Sequence, residues 1–193
     1  MIIGITGGTG CGKTTLLDTI ENAGGLVLDC DAIYHELLQS DNEMLAAIAE
    51  RFPGTVENGQ LQRKKLGAIV FADDEALAEL NRITHSAVKR EVLRRLESKN
   101  NLVAIDAIGL FEGGLAELCH VTVAVCAPVE ARVQRIMARD GISREYALSR
   151  IAAQHEEGWF RERCSHVLEN DSTKETFQSK CVAFLRDVCI MET

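Results

Sequence analysis

Gly7-Gly8-Thr9-Gly10-Cys11-Gly12-Lys13-Thr14 places four glycines, a lysine and a threonine at the spacing G-x-x-x-x-G-K-[ST]. That combination does phosphate chemistry. Glycines let a backbone wrap an anion and aim successive N–H groups at it, and the following helix N-terminus adds about half a positive charge. Lys13 is expected to reach the β- and γ-phosphates of a nucleotide, and the Thr14 hydroxyl to ligate Mg2+. Gly8, Thr9, Gly10, Cys11, Gly12 and Thr15 complete the expected nucleotide-binding set. A glycine-rich turn carrying a lysine by chance is the alternative. The flanks argue against it, because the motif needs a strand before it and a helix after it, and both are written here.

Two carboxylates come next. Asp29 and Asp31 straddle Cys30 at the end of a second apolar run, in VLDCDAIYHELL. At that place one carboxylate can accept a proton from a substrate hydroxyl while the other helps to hold the metal. Either aspartate can instead cap the following helix. Cys11 also has two readings. A thiol near a helix N-terminus favours the thiolate, which would make oxidation a block to ATP; a small residue filling a tight turn does nothing of the kind.

The elements that must position these groups follow from periodicity. Met1 to Thr6 reads as a buried strand, Thr14 to Asn22 as a helix closed by Gly24-Gly25, Leu26 to Cys30 as a strand, and Ala32 to Phe52 as a helical stretch. PGTVENG (53–59) interrupts the alternation with two turn dipeptides. A long helical block follows, with Leu77, Leu80, Ile83, Ala87 and Val88 on one face, so that about 53–100 forms an inserted helical subregion. Leu102 to Asp106 and Val121 to Cys126 resume the strands. A helix over Val129 to Met137 ends before Asp140-Gly141, Ser143 caps another towards Gln154, His166 to Leu168 is a short strand, and Phe177, Cys181, Phe184, Leu185 and Val188 stripe a last helix. Apolar strands separated by helices imply an α/β fold in three layers, with a central, mostly parallel sheet flanked by helices and the site at the carboxyl ends of its strands. The length suits a single domain over 1–193.

Composition removes several function classes. With 21 basic and 29 acidic residues the net charge is −8, the wrong sign for a general nucleic-acid binder or a partner of anionic membranes. No apolar run approaches the ~18 residues of a membrane helix. The chain opens without a secretory signal, and seven cysteines without a C-x-x-C pair suit reduced thiols in the cytoplasm. The charge is uneven. Residues 1–50 carry eight acidic groups and Lys13, a sum of −7, whereas Arg132 to Arg150 holds five arginines against Asp140 and Glu145.

A guanine-nucleotide switch would need D-x-x-G and N-K-x-D. Asp106-Ala-Ile-Gly109 supplies the first and nothing supplies the second. The chain instead resembles the dephospho-coenzyme A kinases through nearly its whole length. The resemblance is carried by IGITGGTGCGKTT, by D-C-D-A-I-Y-H, by Arg63-Lys64-Lys65-Leu66-Gly67 with Val70-Phe71, by Ile83-Thr84-His85, and by Phe111-Glu112. Arg139 before Asp140-Gly141, Ala147 to Gln154, and Asn170 continue it. It departs at Ser86, at Ala107-Ile108-Gly109-Leu110 and at Cys164-Ser165, none of which removes a proposed chemical group.

The resemblance implies a P-loop kinase fold with a mobile lid over about 139–160, ATP and Mg2+ as cofactors, and dephospho-CoA as the small-molecule substrate. It implies Asp31 as catalytic base, Asp29 as its metal-side companion, and Arg139 as the lid arginine on the transferring phosphoryl group, with Arg144 a second lid candidate. Arg63 and His85 fall on the acceptor side. Without the resemblance, Arg139 reads equally as a helix C-terminal cation and His85 as an ordinary polar helix residue. A kinase for a nucleoside or nucleoside monophosphate, and a non-catalytic nucleotide switch, remain the competing readings.

Overall fold

The strand ahead of the phosphate motif is apolar on both faces because both faces are covered. In the computed structural model, which describes residues 1–98 and 100–190, β1 (Ile2–Thr6) runs through the middle of a five-stranded sheet. Its neighbours are β5 (Val103–Asp106) and β6 (Val121–Cys126), both parallel to it, with Ile5 opposite Asp106 and Thr6 opposite Ala124. β2 (Leu26–Asp29) lies outside β5, and β7 (His166–Glu169) pairs in parallel with β6, giving the order β2-β5-β1-β6-β7. This is the three-layer α/β arrangement that the alternation of strands and helices predicts.

Two compact units partition the chain: residues 1–28, 100–110 and 115–193, and residues 29–99 with 111–114. In the first, α1 (Lys13–Asn22) and α9 (Lys174–Ile190) cover one face of the sheet. Ile3, Ile5, Val123 and Val125 meet Leu16, Ile20, Phe177, Cys181 and Val188 there, each at 3% exposure or less. Burial of a branched aliphatic side chain is worth ~2 kcal/mol, so this layer fixes the height of β1 and hence of the loop that leaves it. On the opposite face, Ala124 and Cys126 pack on Phe160 of α8 (Glu157–Arg163). The helices α6 (Val129–Asp140) and α7 (Arg144–Ala152) share a cluster of Val133, Ile136 and Ala147. Gly141 in the left-handed conformation (φ 65°) ends α6, and the Ser143 hydroxyl accepts the Tyr146 N–H to start α7, as the sequence predicts.

The second unit is helical: α2 (Cys30–Ser40), α3 (Asn42–Arg51), a two-residue hairpin β3 (Val56–Glu57) with β4 (Gln60–Leu61), α4 (Arg63–Val70) and the long α5 (Asp74–Leu96). The stretch expected to be one helix over 32–52 is two. Asp41 breaks it with φ −91°, ψ 92° and caps the second helix by accepting the Glu43 and Met44 N–H groups. Among the described residues no helix is long and apolar enough to cross a membrane.

Candidate active site

The phosphate motif lies where β1 hands over to α1. Gly12 has φ +91°, and a Cβ there would stand 2.3 Å from Nδ2 of Asn170, so backbone strain and a close neighbour both require glycine. The first turn of α1 carries no capping side chain, which leaves the helix N-terminus as an anion site. Thr14 is exposed on that turn and Lys13 half-buried. The lysine Nζ donates to the Gly7 carbonyl at 3.2 Å and lies 3.9 Å from the Asp106 carboxylate at the end of β5.

A phosphate cradle works only if its carbonyl oxygens are turned away from the anion. Side chains from distant elements do that here. Nε of Arg132 donates to the Thr9 carbonyl (2.9 Å), Nη1 of Arg135 to those of Gly10 and Cys11 (3.2 Å each), and Nδ2 of Asn170 to that of Cys11 (2.8 Å). The Gly8 carbonyl accepts the Cys11 N–H. Gln154, just beyond α7, accepts the Thr9 N–H at 2.8 Å. Arg132 and Asn170 are each 5% exposed, so these bonds form where water competes weakly.

The other sequence-predicted residues have definite places. Asp29 is the N-cap of α2: its Oδ1 accepts the N–H groups of Asp31 and Ala32. The capping alternative weighed for this pair is thus what Asp29 does. Asp31 stands exposed in the first turn of α2. Arg139 occupies the last turn of α6, where it forms a two-pronged pair with Asp140 (2.7 and 3.0 Å). Asp140 also takes Arg150, and the two arginines hold its carboxyl down to about 2, the hydrogen bond from Arg139 contributing most. Arg144 pairs with Glu130 instead. In the helical unit Arg63 is exposed at the start of α4 and close enough to Tyr34 to oppose the rise that burial imposes on its phenol. His85 is half-buried on α5. Cys11 is 3% exposed, and burial pushes its thiol up against the pull of Arg132 and Lys13. A thiolate is disfavoured there, which supports the space-filling reading.

Mg2+ can be tested against this donor set. Among the described residues no group of three or more His, Cys, Asp or Glu side chains gathers to hold a metal. Mg2+ suits such a place, because it binds through one or two protein oxygens and completes its shell with phosphates and water. Thr14 and Asp106 are the oxygens at hand.

A dephospho-CoA kinase family model matches residues 1–176. The chain belongs to the dephospho-CoA kinase family. Among curated members it is 39% identical to the dephospho-CoA kinase of Thermus thermophilus, over 97% of this chain and 92% of that one. It is 32% identical to that of Corynebacterium diphtheriae, over 92% of each. A crystal structure from Thermus thermophilus superposes with a TM-score of 0.80 at 38% identity, covering 97% of both chains. A shikimate kinase from Acinetobacter baumannii matches at TM-score 0.55 and 19% identity, which shows a shared fold. The resemblance read from the sequence and the P-loop kinase fold are therefore both established.

Within this dephospho-CoA kinase family chain, the sequence assigns a role to the loop and none to its supports, although the resemblance runs through Gln154 and Asn170. Asp106 was signalled by an apolar strand ending in a carboxylate. Arg132, Arg135 and Arg139 recur at i, i+3 and i+7 and share a helix face, yet the first two, not the third, hydrogen-bond the loop. Gln154 and Asn170 carry no local signal of their contact with it.

Proposed function

We propose that the chain transfers the γ-phosphoryl group of ATP to the ribose 3′-hydroxyl of dephospho-CoA, giving CoA, in the cytoplasm. The observation that carries this reading is the phosphate loop with every outward carbonyl held by a donor, on a chain matched by the dephospho-CoA kinase model over residues 1–176. Seven free thiols are in keeping with a reducing compartment.

Lys13 neutralises the phosphates that the loop amides orient, and Thr14 with Asp106 would hold Mg2+. The metal, when bound, offsets charge on the β- and γ-phosphate oxygens. Asp31 accepts the proton of the attacking hydroxyl as the new P–O bond forms and the bond to ADP breaks. Arg139 exchanges Asp140 for the equatorial phosphoryl oxygens, for which its planar fork of donors is suited. The segment 139–160 acts as the lid that makes this exchange and excludes water, the competing acceptor. Arg63 and His85 serve the acceptor side, a role that rests on the resemblance. Asp29 caps α2 and so fixes the turn that presents Asp31.

The test is a coupled assay on dephospho-CoA, nucleosides and nucleoside monophosphates. Turnover on dephospho-CoA well above the rest is expected; preference for a nucleoside or monophosphate overturns the substrate, and slow hydrolysis independent of any acceptor overturns the kinase reading. Asp31→Asn should cut turnover by ~10²–10⁴ with ATP affinity nearly intact. Equal activity in that variant removes Asp31 from the chemistry.

A further inference from the structure

Arg132 is buried to 5% exposure, its Nε is bonded to the Thr9 carbonyl, and its Nη2 has no hydrogen-bond partner among the described residues. A buried guanidinium nitrogen without a partner is costly, and most such groups in folded proteins find one. A suitable acceptor is nearby. The position where a Gly8 Cβ would stand is 2.3 Å from Nη2 of Arg132 and 3.2 Å from Oε1 of Gln154, which puts the two within roughly 5.5 Å of each other. That oxygen is held by the Thr9 N–H, an amide of the phosphate loop itself.

We infer that Gln154 is a phosphate-responsive positioning residue. In the arrangement of this structure its Oε1 holds the Thr9 N–H and Nη2 of Arg132 goes without. When a polyphosphate oxygen accepts the Thr9 N–H, the amide of Gln154 turns and its Oε1 accepts from Nη2. The exchange keeps the Thr9 amide satisfied in both states and gives Nη2 its partner in the second, so removing the orphan becomes part of the binding free energy. The residue that switches sits at the end of α7, whereas Thr9 and Arg132 belong to the loop and α6. Occupancy of the loop is thereby signalled to the segment that follows Arg139 and Arg150. Gly8 has to be glycine because a Cβ would occupy the space through which the two groups meet. The inference rests on the loop being a polyphosphate site, as proposed above.

A double-mutant cycle with Gln154→Leu and Arg132→Lys tests it, read by ATP and inorganic tripolyphosphate titrations. Lysine keeps the charge and a donor for the Thr9 carbonyl but has no second nitrogen at the place of Nη2. Arg132→Lys, which removes a bond made only with phosphate bound, should weaken binding of both probes by roughly tenfold, the worth of one charge-assisted hydrogen bond, and Gln154→Leu, which also removes the Thr9 bond that is traded away, by only about a few-fold. The double variant should bind no more weakly than Arg132→Lys alone. A double variant weaker than Arg132→Lys by the further factor that Gln154→Leu shows alone, or unaltered binding in Arg132→Lys, overturns the latch. As a check that needs no variant, the Arg132 side-chain 15N signals of the wild type should shift on adding tripolyphosphate, and signals that stay put also overturn it. A wild type that binds neither probe removes the nucleotide reading itself, whereas normal binding with independent effects removes the latch alone.

Discussion

Replacing Asn170 tests whether the loop depends on having its carbonyls held from outside. Asn170→Ala preserves the main-chain bond from its N–H to the Cys126 carbonyl (2.8 Å), which ends β7, and removes the Nδ2 bond to the Cys11 carbonyl. That carbonyl keeps Arg135 at 3.2 Å, so it is weakened and not orphaned. One buried neutral hydrogen bond together with a small void beside Gly12 amounts to about 1–2 kcal/mol. At about 2–4 °C per kcal/mol for a chain of this size, the midpoint of thermal unfolding should fall by roughly 2–8 °C. Binding should suffer as well, because a freed Cys11 carbonyl can turn towards the anion; a several-fold rise in the dissociation constant for MgATP is expected. Asn170→Asp is the sharper perturbation. It is nearly the same size but points a buried carboxylate at a carbonyl oxygen and at the polyphosphate, and should be worse than alanine in both measurements. Circular-dichroism melts with and without MgATP, with isothermal titration, decide the matter. An alanine variant indistinguishable from wild type, or an aspartate variant milder than alanine, refutes the idea that outside donors shape this loop.

Asp106→Asn should lower turnover by ~10–100-fold and raise the Mg2+ concentration needed for half-maximal activity, since it removes the carboxylate 3.9 Å from Lys13; an unchanged Mg2+ dependence counts against Asp106 as a metal-side group. Cys119 and Cys126 are pushed up to about 12 by burial, which at pH 8 leaves about one in 10⁴ ionised, and Cys11 is raised as well. Iodoacetamide at that pH should label exposed Cys189 first and leave Cys11 and the activity alone, whereas labelling of Cys11 that ATP prevents would revive a redox gate. Glu91 is held at about 2 by hydrogen bonds from Arg94 and Arg95, against 4.5 ordinarily. A depressed carboxylate stabilises fully above its ordinary value and loses that contribution as pH falls towards the folded one. The stability gap between wild type and Glu91→Gln, followed by urea melts, should accordingly narrow from about pH 4.5 towards pH 2, and a gap independent of pH refutes the pairing.

The phosphate loop was legible because its determinants are local. Its glycines, Lys13 and Thr14 are contiguous, and the apolar strand before and helix after are written in the same twenty residues. Helix ends signalled by Gly141 and Ser143 were legible for the same reason. The break at Asp41 was overlooked because apolar periodicity runs on through it, although Ser40-Asp41-Asn42 is a run of residues that favour caps. α8 was missed because seven residues with Gly158 among them are too few to show a period. The supports of the loop are of another kind. Arg132, Gln154 and Asn170 lie 123, 145 and 159 residues from the backbone atoms they hold. Such contacts are created by the sheet order, which sets β6 beside β1 and β7 beside β6, and no spacing in the sequence encodes them.

The uneven charge acquires a physical meaning from those contacts. Residues 1–50 sum to −7, yet they contain the segment that must attract a polyphosphate. Five arginines cluster between Arg132 and Arg150, and two of them reach the loop on its carbonyl side: Arg132 and Arg135 hold the oxygens of Thr9, Gly10 and Cys11. A cation placed there acts twice. It fixes the peptide planes so that the amide dipoles point their positive ends at the anion, and, buried at Arg132 and half-buried at Arg135, it adds an attractive potential that water screens less than at the surface. A neutral donor such as Asn170 does the first without the second. Arg139, by contrast, is exposed and tied to Asp140, so its charge is largely spent until it changes partner. The permanent attraction of the site therefore comes from Lys13, the open end of α1 and the two arginines behind the loop, while the arginine proposed to meet the transferring phosphoryl group is held in reserve by a neighbouring carboxylate.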